Sequence, residues 1–62
     1  MGYIQKQIIK IGKEKGFVTS LDVKMFYQQQ FIEMEMNKLI IQGYFEEAED
    51  CGSFVKWRFK DA

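Results

Sequence analysis

Lys6, Lys10 and Lys13 recur at i, i+4 and i+7, a spacing that gathers them on one side of a helix as a basic stripe. The stripe has two readings: contact with the phosphates of a polyanion, or a solvated face that keeps the chain dissolved. A second polar set lies mid-chain, where the carboxamides of Gln28, Gln29 and Gln30 precede Glu33, Asn37 and Lys38. Carboxamides donate and accept, a carboxylate accepts and an ammonium donates, so the set is equipped for directional hydrogen bonding. The glutamines suit a polar turn and helix start equally well. Covalent and metal chemistry finds no such support. The chain has no histidine and one cysteine, Cys51, whose neighbour Asp50 disfavours the thiolate. That leaves no zinc constellation, no internal disulfide and no nucleophile–base pair, and the scattered glycines form no phosphate-cradling loop. The expectation is a protein that is not an enzyme and needs neither cofactor nor metal; the one thiol reaction left to it is an intermolecular disulfide.

Sixty-two residues make one domain, 1–62, and a domain this small buries only about 60% of the surface its unfolded chain exposes. An apolar share of 47% and an aromatic share of 16% suit a packed core, not a disordered tail. Nine basic and nine acidic side chains cancel, which counts against a dedicated nucleic-acid binder, because phosphate contacts dominate such affinities. No apolar run approaches the length of a signal peptide core or a membrane span, and a single reduced thiol suits the cytoplasm, so a soluble cytoplasmic protein with no membrane partner is expected.

The elements that must position these groups follow from periodicity. Ile4, Ile8 and Ile11 predict an amphipathic helix over 2–15, stopped by Gly16. Phe17, Val18 and Thr19 form a strand stub able to pair with the edge of a later hairpin. Ser20 is placed as the N-cap of a short second helix over 21–26, with Leu21 and Met25 facing the core and Val23 or Phe26 completing the packing. Residues 27–30 turn into a third helix that continues through Gln42, where Ile32, Met36, Leu39 and Ile40 share a face and Gly43 is the stop. Residues 44–49 and 53–60 then read as a hairpin turning at Asp50, Cys51 and Gly52. Along its second strand Val55, Trp57 and Phe59 alternate with Phe54, Lys56 and Arg58; Trp57 and the phenylalanines are assigned to the core, and Lys56 and Arg58 are expected to pair with Glu47 and Glu49.

This order of helix, stub, helix, turn, helix and hairpin resembles the winged helix-turn-helix superfamily across nearly the whole chain. The likeness is closest over residues 32–45, IEMEMNKLIIQGYF, where Met36 and Leu39 precede Gly43 and the pair Tyr44 and Phe45 starts the wing. The resemblance implies an α+β fold: a small winged helix of three helices and a two-stranded β-hairpin wing, with the strand stub before helix two. It also implies double-stranded DNA binding and transcriptional regulation, with the third helix in the major groove. On that helix Gln30, Glu33, Met34, Asn37, Lys38 and Ile41 then face outward. The resemblance makes Gln28, Gln29, Gln30, Glu33, Asn37, Lys38 and Lys56 the DNA-binding set: carboxamides for adenine, lysine for guanine or phosphate, glutamate for cytosine.

Opposing features define an alternative. Glu46, Glu47, Glu49 and Asp50 crowd the wing, where a nearby phosphate would be repelled. Met34 and Ile41 are apolar where a groove-reading helix usually shows polar side chains, and exposed apolar pairs more often mark a protein interface. The alternative is therefore a protein-interaction module using Met34, Ile41 and the acidic wing. A homodimer on DNA would have to use the first helix, through Tyr3 and Ile9, which lie off its core stripe.

Overall fold

The isoleucine stripe forms the first helix as expected: in a computed structural model that describes residues 2–60, α1 spans Tyr3–Lys15. The Gly16 N–H donates to the Gly12 carbonyl at 2.7 Å, and Gly16 adopts a left-handed φ of 85° that closes the helix. The buried face is rotated from the expected one. Ile8, Ile9 and Gly12 are its deepest residues, while Ile4 and Ile11 pack at the margin. Ile9 is core, so the proposed dimer surface loses it; Tyr3 is exposed.

β1 (Phe17–Thr19) pairs antiparallel with β3 (Val55–Arg58), which pairs antiparallel with β2 (Glu49–Asp50), giving a three-stranded sheet in the order β1-β3-β2. The stub is thus an integral edge strand, in register Val18 opposite Trp57. The hairpin is shorter in regular pairing than its sequence runs. Phe45 bridges Phe59 and Glu49 pairs with Lys56, so three residues, 46–48, stand opposite two, 57 and 58. An extra residue of this kind is a bulge, which interrupts the ladder and bends the strand. The turn lies one step later than expected: Cys51 N–H donates to the Phe54 carbonyl at 2.9 Å, and Gly52 N–H donates to Asp50 Oδ1 at 2.9 Å.

The second helix, α2 (Ser20–Val23), is a single turn, and its cap is Thr19, not Ser20. Thr19 ends β1 with an extended backbone, the conformation an N-cap requires. Its Oγ1 accepts from Asp22 N–H at 3.3 Å while Asp22 Oδ2 accepts from Thr19 N–H at 3.0 Å, a reciprocal capping box. Ser20 is used elsewhere, its Oγ accepting from Val55 N–H at 3.0 Å and tying α2 to the sheet. With the cap at Thr19 the inward stripe is Val23, Phe26 and Tyr27; Leu21 at 60% and Met25 at 83% exposure are not core.

Burial acts to raise the Asp22 pKa, but bonds from Lys15 and Thr19 outweigh it and hold the carboxyl below its ordinary value. A depressed carboxyl contributes stability that is present above its unfolded value and lost as pH falls through the folded one. Thr19→Ala should therefore lower stability by about 1 kcal/mol at neutral pH. The Asp22 contribution should fade on acidification, as urea unfolding at neutral and acid pH would show; an unchanged midpoint at neutral pH would refute the capping role.

α3 (Gln29–Ile41) buries Ile32, Met36 and Leu39, as its periodicity predicts. Tyr44 N–H donates to the Leu39 carbonyl and Gly43 N–H to that of Ile40, both at 3.0 Å, with Gly43 at φ 92°. This paired pattern is the Schellman ending, and it needs the left-handed backbone that glycine adopts without penalty. The core joins these faces through Phe45 and Trp57. The molecule is an α+β fold of three helices and a three-stranded antiparallel sheet.

Candidate nucleic-acid interface

α3 packs through Ile32, Met36 and Leu39, which turns the residues between them outward. Gln30, Glu33, Met34, Asn37, Lys38 and Ile41 line one shallow depression along its free face. On the hairpin side, Gln29, Glu33 and Asn37 rim a groove of about 450 Å³ that runs down to Val55 and Trp57. Asn37 belongs to both, and also to a further hollow with Ile40, Ile41, Glu47 and Ala48. Its carboxamide therefore stands where α3 and the hairpin converge.

Five of the seven expected site residues, Gln29, Gln30, Glu33, Asn37 and Lys38, thus occupy adjoining surfaces of one helix. Gln28 precedes the helix as its N-cap, but its side chain caps nothing; its Oε1 accepts from Gln30 Nε2 at 3.4 Å. Lys38 is not a free cation, since its Nζ donates to Glu35 Oε2 at 3.0 Å. Glu35 in turn lies beside Tyr27, whose phenol is pushed above its ordinary pKa by burial first and by this carboxylate second.

Lys56 stands apart from the others. Strand alternation sends Val55 and Trp57 toward the groove and Lys56 to the opposite face of the sheet, where its Nζ lies 4.7 Å from the centroid of the Phe17 ring. Lys15 approaches the same ring at 4.9 Å. Of the expected cross-hairpin pairs, Arg58 meets Glu49 at 3.5 Å. Lys56 does not meet Glu47, because the bulge carries Glu47 to the α3 side.

Ala48 and Ser53, which help to line the α3–hairpin hollows, carry no signal in the sequence, and Phe31, expected in the core with the other phenylalanines, is exposed on α3 because the buried face runs through Ile32, Met36 and Leu39. The groove depends on the bulge, and a bulge without a glycine leaves no mark in residue types. The basic stripe did form: Lys6, Lys10 and Lys13 share a hollow with Ile9 and Tyr44. No helix among the described residues is long and apolar enough to cross a membrane. The fold and site define a small α+β domain whose third helix has one outward face, flanked by the acidic first arm of the hairpin. No protein-family model, curated protein or solved structure matches the chain.

Proposed function

We propose that this chain is a winged helix-turn-helix domain that binds double-stranded DNA as a cytoplasmic transcriptional regulator, with α3 in the major groove and β2–β3 as the wing. The order helix, strand, helix, helix, strand, strand, with the first strand beside the last, supports the winged-helix reading. The observation that carries the DNA reading is the outward strip of α3, where the polar side chains of Gln30, Glu33, Asn37 and Lys38 project from one face. Carboxamides at two turns of such a helix fit bidentate contact with adenine, and the side-chain-free cap at Gln28 leaves first-turn amides for a phosphate.

The test is an NMR titration of the protein with a mixed-sequence duplex at about 50 mM and about 200 mM salt, a range over which phosphate contacts weaken strongly. Shifts should concentrate on residues 28–38 and shrink at the higher salt. Lys38→Ala should weaken binding across sequences and reduce the salt slope by about 1, whereas Asn37→Ala should relax preference among sequences. Absence of shifts at low salt would overturn the reading. One observation favours a second function, a protein-interaction module: Met34 is 50% and Ile41 85% exposed on the same strip, beside an acidic hairpin. That reading leads if the duplex has no effect.

A further inference from the structure

Among the charges of the described residues three ion pairs and two like-charged groups stand out, with Glu14, Lys24, Lys56 and Lys60 outside both. Lys15, Lys38 and Arg58 hold the carboxylates of Asp22, Glu35 and Glu49. Lys6, Lys10 and Lys13 are exposed and, among the described residues, meet no carboxylate at ion-pair distance. Tyr3, 75% exposed, extends their line one step toward the helix start, at i, i+3, i+7 and i+10. The opposite sign gathers on the first arm of the hairpin, where Glu46, Glu47 and Asp50 are exposed and equally without an ion pair among the described residues. Glu47 borders the hollow that contains Ile41, and Glu33 borders the strip that contains Met34 and Ile41. One surface is a basic helix face with an aromatic end; the other is the mixed α3 strip, where Met34 and Ile41 are exposed and Glu33 and Glu47 stand at the border.

We propose that these two surfaces are complementary, and that α1 of one copy docks head to tail on the α3–hairpin face of a second copy. Three properties argue for a second copy as the occupant. The lysine stripe matches the acidic border in sign, α1 and α3 are both 13 residues long and so about 20 Å each, and zero net charge leaves no overall repulsion between copies. A contact between two different patches does not close on itself in a pair, so assembly should continue past the dimer as concentration rises. Its pairs are exposed, so the association is weak and dependent on salt. It also covers the α3 strip assigned to DNA, which makes self-association and duplex binding mutually exclusive. It is measured without DNA, so its failure is distinct from failure of the DNA reading.

The test is sedimentation equilibrium of the purified chain over a concentration series. At about 20 mM salt the average mass should climb above the 7.4 kDa monomer, and at about 1 M salt, where the Debye length is about 3 Å, it should return to it. Lys6→Glu with Lys10→Glu should abolish the rise, and so should Glu33→Lys with Glu47→Lys, the two carboxylates that border the strip. All four changes together restore opposite charges in swapped places at unchanged net charge and should restore the rise. Circular dichroism confirms that each variant is folded, and Lys6→Gln with Lys10→Gln replaces the reversal if it is not. A monomer at every concentration, an association indifferent to salt, or a fourfold variant that stays monomeric would each overturn the proposal.

Discussion

Phe45→Ala should remove most of the folded population at physiological temperature. Phe45 is fully buried and the largest such side chain in the fold. Its ring meets Phe59 edge-to-face, with centroids 5.5 Å apart and an interplanar angle of 80°. It begins the hairpin through the Phe45–Phe59 bridge, two residues after the glycine that ends α3. Truncating a buried phenylalanine costs about 3–5 kcal/mol, as lost transfer free energy and a cavity that neighbours fill incompletely. A domain of 62 residues has about 3–9 kcal/mol of total stability at the usual share per residue, so one substitution consumes much or all of it. Urea unfolding followed by tryptophan emission is the appropriate measurement, because Trp57 is buried in the same core. Phe45→Leu, which keeps most of the volume, should retain a cooperative transition. An alanine variant within 1 kcal/mol of the parent, by an estimate of order RT ln 5, would show that the core does not converge on Phe45.

The same core explains which parts of the fold were legible in the chain. Long amphipathic segments are over-determined: Ile32, Met36 and Leu39 orient α3 together, and a glycine ends it at the residue the pattern requires. α2 is one turn long, too short for periodicity to choose between two faces. Its rotation was decided by whether Thr19 or Ser20 capped it, and that depended on Thr19 completing a strand whose partner lies almost forty residues away. The burial of Ile9 is hidden for a similar reason, since a stripe drawn through Ile4, Ile8 and Ile11 omits the side of α1 that meets Tyr44. The site divides along the same line. Gln29, Gln30, Glu33, Asn37 and Lys38 follow from helical spacing alone, whereas excluding Lys56 required the register of β3. The Glu35–Lys38 pair at i, i+3 was readable in principle and changes what Lys38 offers a phosphate, because the lysine must leave one anion to reach another.

Gly12 carries no signal in the sequence, yet Gly12→Ala should destabilise the fold, with a sign opposite to helix propensity. In an exposed helix interior, glycine to alanine stabilises by about 1 kcal/mol, because alanine has less backbone freedom to lose. At Gly12 an added Cβ would sit 2.8 Å from both Cε1 and Cζ of Phe45 and 2.9 Å from Cδ1 of Phe59. Those atoms belong to an edge-to-face pair of rings packed in the core, not to flexible side-chain ends, so they can yield only by moving the hairpin off α1. Overpacking of this kind costs about 1–3 kcal/mol and exceeds the propensity gain. Gly12→Ala should therefore lower the urea midpoint, while Gly2→Ala, where the added carbon meets nothing within 4 Å, should not. Combining Gly12→Ala with Phe45→Leu offers a sharper check, because the smaller, movable side chain makes room for the methyl. The two changes should then cost less together than the sum of their separate effects. Strict additivity would mean that the helix and the ring do not share the space assigned to them, and that α1 is held against the hairpin by contacts other than this one.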